Sequence, residues 1–322
     1  MKRLLGAVAV AGLTASLALA QAAAKVDSSI AGYQKVSGVS GNINSVGSDT
    51  MNNMMALWGE TFQKLYPNVK IQVEGKGSST APAALIAGTA QFGPMSRAMR
   101  ATEIDQFESK YGYKPTQIRT SYDALAVYVN KDNPIEKLTL AQVDAAFSKS
   151  RKRGFKQNVT TWGQLGLTGD WANRPISLYG RNSASGTYGF FKEHTLANGD
   201  YKDSVKEQPG SASVVQGVTE DRFGMGYSGI GYKTSGVKAV PLADKEGGAF
   251  SDGNYEDVKS GKYPLSRFLY IYINRAPGKP LDPIVKEYVK LILSKEGQEV
   301  VIKDGYLPLS AEIVKQELAK LE

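Results

Sequence analysis

From Ile43 onward the chain repeats one local order: a short apolar strand, a turn of small residues and an amphipathic helix. After the first turn, apolar residues recur every three or four positions, which predicts a helix with one buried face. They are Met51, Met54, Met55, Trp58, Phe62 and Leu65. Residues 120–130 instead contain a nearly continuous apolar run, as in a strand covered on both faces. The alternation predicts an α/β protein whose sheets are mixed, mostly parallel and flanked by helices.

The same patterns predict the other elements. Strands are expected at 43–46, 69–73, 175–180, 223–227, 237–240 and 266–274. Helices are expected at 51–65, 83–87, 139–147, 283–293 and 295–303, after Gly180, and beyond 309. Thr139 with Gln142, and Thr102 with Asp105, have the spacing of helix capping boxes. With 322 residues the chain is long enough for two lobes.

The N-terminus has the parts of a secretory signal peptide. Lys2 and Arg3 precede an apolar run that ends in Ala18-Leu19-Ala20, with small residues where a signal peptidase requires them. A membrane anchor is the alternative, but the run barely reaches the length that spans a bilayer and is rich in alanine. We therefore predict export to the periplasm with cleavage near Ala20, and residues 21–42 as a flexible lead-in.

Composition excludes several kinds of chemistry. The chain has no cysteine, which excludes thiol catalysis, Cys-rich zinc sites and iron–sulfur clusters. Its one histidine, His194, falls on a predicted helix and is expected to be a capping or surface residue. No P-loop or nucleophile elbow is present. Lys and Arg outnumber Asp and Glu by 39 to 31, but they are scattered, so we predict no nucleic-acid partner. No catalytic residue, metal or cofactor is predicted.

Three turns have the composition of an anion site: 47–51, 75–80 and 183–187. Each supplies glycine, at least one hydroxyl and the free amides of a helix's first turn, where the helix dipole also favours an anion. Arg181, four residues ahead of Ser185, adds a planar guanidinium that can hold an oxyanion through two hydrogen bonds. Ser and Thr are also ordinary helix N-caps. One such turn would be weak evidence, but three of them with an arginine favour an oxyanion site.

In this order, the motifs resemble the phosphate-binding proteins of PstS type, the exported receptors of ATP-driven phosphate importers. The resemblance rests on Gly47-Ser-Asp-Thr-Met51, Gly77-Ser-Ser79, Phe92-Gly-Pro-Met-Ser-Arg97, Gly180-Arg-x3-Ser-Gly-Thr187 and Gly226-Tyr-Ser-Gly-Ile-Gly-Tyr232. It implies a type II periplasmic binding fold, in which two α/β lobes are joined by two crossover strands, here near 122–123 and 263–265. Lobe I would contain residues 43–122 and 264–322, and lobe II residues 123–263.

The resemblance also implies which residues hold the anion. Apart from the charged arginine, each would donate a hydroxyl, a backbone amide or both; the set is Thr50, Met51, Ser78, Arg181, Ser185, Gly186 and Thr187. The implied partners are inorganic phosphate and the membrane permease of an ABC importer. The implied protein is a monomer that binds its solute without being an enzyme.

One position departs from the family pattern. Ser96 lies where the best-known members have an aspartate that accepts a hydrogen bond from the proton on phosphate. Ser96 would still donate to the ligand, but the acceptor must come from elsewhere. We expect it to be Asp123, at the predicted hinge, where its carboxylate could reach both the cleft and Arg181. A hinge residue paired only with protein groups is the alternative.

Three further interpretations stay open at this stage. If no carboxylate lines the cleft, another tetrahedral oxyanion such as sulfate becomes the favoured ligand, because sulfate carries no proton at neutral pH. A serine-dependent phosphoric ester hydrolase is the alternative of a different class. A secondary adhesive role on the same fold is also compatible with the sequence.

Overall fold

The computed structural model describes residues 24–322, so the predicted signal peptide lies outside the described part of the chain. The alternation of strands and helices is present from Gly41 onward. In chain order, the first elements are β1 (Gly41–Val46), α1 (Asn52–Leu65), β2 (Val69–Glu74), α2 (Thr80–Ala87), β3 (Gly93–Met95), α3 (Ala101–Tyr111) and β4 (Thr116–Asn130).

The middle of the chain continues the alternation with shorter elements. They are β5 (Leu138–Thr139), α4 (Leu140–Phe147), β6 (Ser177–Arg181), α5 (Gly186–His194), β7 (Lys206–Gln208), α6 (Ser211–Glu220), β8 (Gly224–Gly229), β9 (Val237–Ala239) and β10 (Leu242–Ala243). The last elements are α7 (Tyr255–Lys259), β11 (Ser266–Ile273), α8 (Pro283–Leu293), α9 (Lys295–Lys303) and α10 (Ala311–Ala319).

One seven-stranded sheet runs through the molecule in the order β3-β11-β4-β8-β6-β7, with β9 also paired to β4. The long strand β4 pairs with β11 along its first part and with β8 and β9 along its second part. From Thr120 to Asn130 all of β4 is buried, which confirms the predicted doubly covered strand. β1 and β2 form a separate parallel pair, and a bridge from Ser45 to Phe92 joins it to the segment before β3.

The sheets are mixed, and their strand directions differ in part from the prediction. β1 and β2 are parallel, as are β6, β7 and β8, so the strands that lead into the predicted binding turns fit the expectation. β4 and β11 are antiparallel to each other, and both are antiparallel to their outer neighbours. Topology explains the difference, because β4 carries the chain from one part of the sheet to the other and β11 brings it back.

The local predictions hold where side chains near in sequence determine the structure. α1 buries Met54, Met55, Trp58 and Phe62 completely, at the predicted helical spacing. Burying side chains of this size stabilises the fold by about 1.5–3 kcal/mol each. The Thr139 box is confirmed, since its hydroxyl accepts from the Gln142 N–H.

The predicted capping box of Thr102 with Asp105 is wrong. α3 begins earlier, at Ala101, and the Glu103 carboxylate accepts from the Arg100 N–H at 2.7 Å. A glutamate at the third helical position thus satisfies the first free amide. Within residues 24–322, no helix combines the length and the apolar character needed to span a bilayer.

Candidate functional site

Three of the predicted turns meet at the ends of parallel strands. The turn after β1 contains a short 3-10 turn, Asp49–Met51, that leads into α1. The turn after β2 leads into α2, and the turn after β6 leads into α5. Because β1 and β2 are parallel neighbours, their turns lie at one edge. The third turn reaches the same place from a distant part of the chain, since the Ser79 N–H donates to the Ala184 carbonyl at 3.2 Å.

Four buried hydroxyl groups converge between these turns. Thr50 Oγ1 and Thr187 Oγ1 are 2.9 Å apart, although the residues are 137 positions apart in sequence. Ser96 Oγ lies 3.3 Å from Ser78 Oγ and 3.4 Å from Thr187 Oγ1. None of the four residues is more than 1% exposed. The predicted donors from both parts of the chain therefore share one buried place.

Gly186 is required by the close approach of α5 to this cluster. A Cβ atom on Gly186 would lie 2.2 Å from Ser78 Oγ and 2.7 Å from Ser96 Oγ, so no other residue fits without moving the turns apart. Gly186 is also the first residue of α5, and amides at this position have no acceptor within the helix. The glycine therefore brings a helix N-terminus against the hydroxyl cluster.

Ser185 serves as the N-cap of α5. Its Oγ accepts from the N–H groups of Thr187 at 3.1 Å and Tyr188 at 3.3 Å. Accepting uses the lone pairs of the hydroxyl and leaves its own hydrogen as a donor. The predicted cap and the predicted anion donor are thus compatible in one side chain.

Two of the expected backbone donors are already used within the chain. The Thr187 amide donates to Ser185 Oγ. The Met51 amide donates to the Ser48 carbonyl at 3.3 Å, and Met51 itself is fully buried. The hydroxyl groups therefore form the larger part of the available donor set.

Arg181 ends β6 and is only 2% exposed. Its Nη1 donates to Ser211 Oγ at 2.7 Å and lies 3.1 Å from Asp49 Oδ1. Burial lowers the pKa of the Arg181 guanidinium, while Asp49 acts in the opposite direction. An arginine keeps its charge under these conditions because its ordinary pKa is so high. The structure thus pairs Arg181 with Asp49, not with Asp123 as the sequence suggested.

Asp123 is fully buried and is paired with Arg267, a residue that the sequence analysis did not select. Asp123 Oδ2 accepts from Arg267 Nε and Nη2 at 2.8 and 2.7 Å, and its Oδ1 accepts from the Ile230 N–H at 3.0 Å. Arg267 Nη2 also donates to Thr187 Oγ1 at 3.0 Å, and Nη1 donates to the Ser96 carbonyl at 2.8 Å. The pair therefore adjoins the hydroxyl cluster. A charged residue at the start of β11, directly before its apolar run, was the available signal, because a buried charge needs a partner.

Two tyrosines, Tyr306, which is buried, and Tyr232, which is partly buried, fix the turn that carries Thr50. Tyr306 donates to the Thr50 carbonyl and Tyr232 donates to the Asp49 carbonyl, both at 3.0 Å. Burial raises the pKa of each phenol, so both remain neutral donors. The backbone of this turn is thereby held from two separate segments.

The one histidine lies outside the cluster, as expected. His194 ends α5, its side chain is 45% exposed, and its ring packs against Phe190 at 4.1 Å between centroids. Burial lowers the pKa of its imidazole. In residues 24–322 there is no group of three or more His, Asp or Glu side chains placed to hold a metal ion.

Comparisons with known proteins show which family the chain belongs to. The model of the PBP superfamily domain matches residues 32–296. The phosphate-binding protein PstS of Pseudomonas aeruginosa is 56% identical over 321 residues, which cover 100% of this chain and 99% of that protein. Protein SphX of Synechococcus elongatus is 27% identical and matches 89% of this chain and 83% of its own length.

Solved structures share the fold. A putative phosphate ABC transporter substrate-binding protein from Clostridium perfringens, solved with bound phosphate, superposes with a TM-score of 0.70 at 23% identity, covering 84% of this chain and all of that one. A possible phosphate-binding protein from Planctomyces limnophilus superposes with a TM-score of 0.63 at 27% identity, covering 88% and 99%. The fold is thus the predicted two-lobed α/β type, and the chain belongs to the PBP superfamily and, within it, to the PstS family of phosphate-binding proteins.

Proposed function

We propose that this protein captures inorganic phosphate between two lobes and delivers it to an ABC-type importer. Both PstS of P. aeruginosa and the C. perfringens structure carry phosphate in their names, and the first matches the whole chain. Capture needs no covalent step, and the protein is not an enzyme. We also propose that the receptor is exported to the periplasm, is cleaved near Ala20 and acts as a monomer.

The observation that carries the proposal is the 2.9 Å contact between the hydroxyls of Thr50 and Thr187. Around this contact, donors from separate turns, the Arg267 guanidinium and the N-terminus of α5 lie in one buried place. A small tetrahedral oxyanion accepts several hydrogen bonds from different directions, which is what such a cluster can offer. Burial strengthens each bond because it removes competing water.

The proposed lobes are residues 43–122 with 264–322, and residues 123–263. The crossing segments support this division, because the Leu125 N–H donates to the Leu265 carbonyl at 3.1 Å where the two segments run side by side. The contacts of Thr50 with Thr187 and of Asp49 with Ser211 would then join the two lobes. On this view the structure represents the closed arrangement, and opening would separate the two sets of donors.

Asp123 supports phosphate over sulfate as the ligand. A buried carboxylate beside the anion favours a ligand that still carries a proton, because an unprotonated oxyanion would face it with no hydrogen between them. Asp123 is fully buried and is linked to Thr187 through Arg267. We propose that it supplies the acceptor that Ser96 cannot.

Calorimetric titration tests the proposal. The protein without its first 20 residues is unfolded, freed of bound anion, refolded and titrated with phosphate, then with sulfate. We expect tight 1:1 binding of phosphate that a large excess of sulfate does not weaken. Absence of heat with phosphate would contradict the function, and equal affinity for sulfate would contradict the assigned ligand. Turnover of an aryl phosphate would favour the hydrolase instead.

A further inference from the structure

The Asp49 carboxylate crosses from its own turn to a helix that lies far away in the sequence. Its Oδ1 accepts from the Ser211 N–H at 2.7 Å, across 162 positions, and lies 3.1 Å from Arg181 Nη1. Ser211 is the first residue of α6, so the carboxylate occupies the N-terminus of that helix. The Asp49 side chain therefore ties the Thr50 turn to both α6 and β6.

The contacts of Arg181 leave one edge of its guanidinium without an acceptor. Nη1 is held by Ser211 Oγ and Asp49, and Nη2 donates to the Pro209 carbonyl at 3.3 Å. Within residues 24–322, Nε is buried and has no hydrogen-bond partner. Because the guanidinium is planar and rigid, fixing the two terminal nitrogens also fixes the direction of the Nε–H. A buried donor without a partner points to an acceptor that the chain itself does not supply.

We propose that Asp49 is a positioning residue that orients Arg181, so that its free Nε edge is presented to the anion when the two proposed lobes meet. This inference rests on the proposed function, because it concerns the same ligand. Asp49 neighbours Thr50 in the turn of one lobe, whereas Arg181 and Ser211 belong to the other. The guanidinium thus receives its full set of contacts only when the turns come together, which couples closure to the presentation of the charged donor.

Two effects of Asp49 on anion binding have opposite signs. Its negative charge repels an anion, so removing the charge alone would tighten binding. Its contacts with Arg181 and Ser211 fix the donor geometry, so removing them would weaken binding and leave the Ser211 N–H without its acceptor. We expect the second effect to dominate, because Asp49 forms its ion pair at Nη1 and not at the edge that carries the free Nε.

Asp49→Ala tests the inference, because alanine removes both contacts of Oδ1, whereas the amide oxygen of an asparagine still accepts hydrogen bonds at the same position. We expect phosphate affinity to fall roughly tenfold in calorimetric titration, since hydrogen bonds to charged groups contribute on this scale. Asp203→Ala is the matched control, because it removes one carboxylate that is 92% exposed and forms a surface ion pair with Lys149. Its affinity should equal that of the wild type.

Asp49→Ala is also combined with Arg181→Lys in a double variant. A lysine keeps the charge, so binding stays measurable, but it has no second edge that Asp49 could orient. If Asp49 acts through Arg181, Asp49→Ala should change the affinity of the Arg181→Lys variant less than threefold, a deviation from additivity that two independent effects do not produce. Thermal unfolding of each variant without phosphate confirms that it is folded.

Three results would overturn the inference: unchanged affinity in Asp49→Ala, tighter binding in Asp49→Ala, or equal losses from Asp49→Ala in the wild-type and Arg181→Lys backgrounds. Each of these requires wild-type protein that binds phosphate. Failure of the wild type to bind phosphate would instead contradict the proposed function itself, so the two failures are distinguishable.

Discussion

Arg267 and Asp123 lie directly opposite each other on β11 and β4, and two N–H groups of the guanidinium donate to the same carboxylate oxygen. Both side chains are nearly excluded from solvent, at 2% and 0% exposure. A pair this deeply buried holds the two crossing strands in register, and it places a donor against Thr187. It therefore links the stability of the fold to the site.

Breaking this pair should destabilise the protein. Arg267→Met leaves the Asp123 carboxylate buried without its partner, so we expect the free energy of unfolding to fall by about 3–5 kcal/mol. Urea denaturation without phosphate measures this. The double variant with Asp123→Asn should recover part of the loss, because neither side chain is then charged. Equal stability of Arg267→Met and wild type would contradict a structural role for the pair.

The Arg267–Asp123 pair also shows where sequence reasoning stops. Register between strands so distant in sequence cannot be read from either strand alone, and the pairing of Arg181 with Asp49 depends on the same long-range assembly. β7, with the sequence Lys206-Glu207-Gln208, was missed because an edge strand of polar residues has no apolar alternation. By contrast, α1 and the Thr139 cap were predictable, since periodicity and capping are local.

The donor turns themselves were also predictable. A turn of glycine and hydroxyl residues ahead of an apolar helix can be recognised locally, because the free amides of the helix's first turn need acceptors. Their convergence was inferred from a family resemblance, and Thr50, Ser78, Ser96 and Thr187 do lie together. Their role as ligands of phosphate stays a prediction.

Asp123→Asn should mainly reduce selectivity. The amide keeps the volume of the carboxylate but can turn a donor toward an unprotonated anion. We therefore expect the ratio of phosphate to sulfate affinity to fall on the order of tenfold or more. Competition calorimetry with both anions measures the ratio. Undiminished selectivity in a folded variant would assign the acceptor to another residue.

Arg181→Ala should remove most of the affinity for phosphate. The variant deletes a buried charge with an unused N–H, and we expect the dissociation constant to rise between about tenfold and a few hundredfold. Arg174→Ala is the control, because Arg174 is exposed and packs over Phe223 away from the cluster. Equal dissociation constants for Arg181→Ala and wild type would contradict the assigned site.

Gly186→Ala should prevent the two sets of donors from meeting. The added methyl group would overlap Ser78 Oγ, so we expect phosphate affinity to fall at least about tenfold while the ligand-free protein stays folded. Gly189→Ala, in the same helix, is the matched control, since its Cβ would come no closer than 3.5 Å to Arg97. If both variants bind phosphate equally well, the close approach of α5 is not needed for binding.

Asp304 should make stability depend on pH in an uncommon direction. Burial raises the pKa of its carboxyl to about 6, although a hydrogen bond from Asn53 Nδ2 acts against this. The folded protein therefore binds a proton more readily than the unfolded chain, in which the pKa is 3.8. By linkage, this group adds stability that is fully present below pH 3.8 and is lost as the pH rises through about 6.

Asp304→Asn isolates this contribution, because the variant has no proton to exchange at that position. We expect the unfolding free energy of the wild type, relative to that of Asp304→Asn, to increase as the pH is lowered from about 7.5 to about 5. Urea denaturation at several pH values measures the difference, and Asp203→Asn gives the change expected from an exposed carboxylate. A difference that shrinks toward pH 5 would mean that Asp304 is stabilised as a carboxylate by Asn53, and that burial is not the dominant influence on its titration.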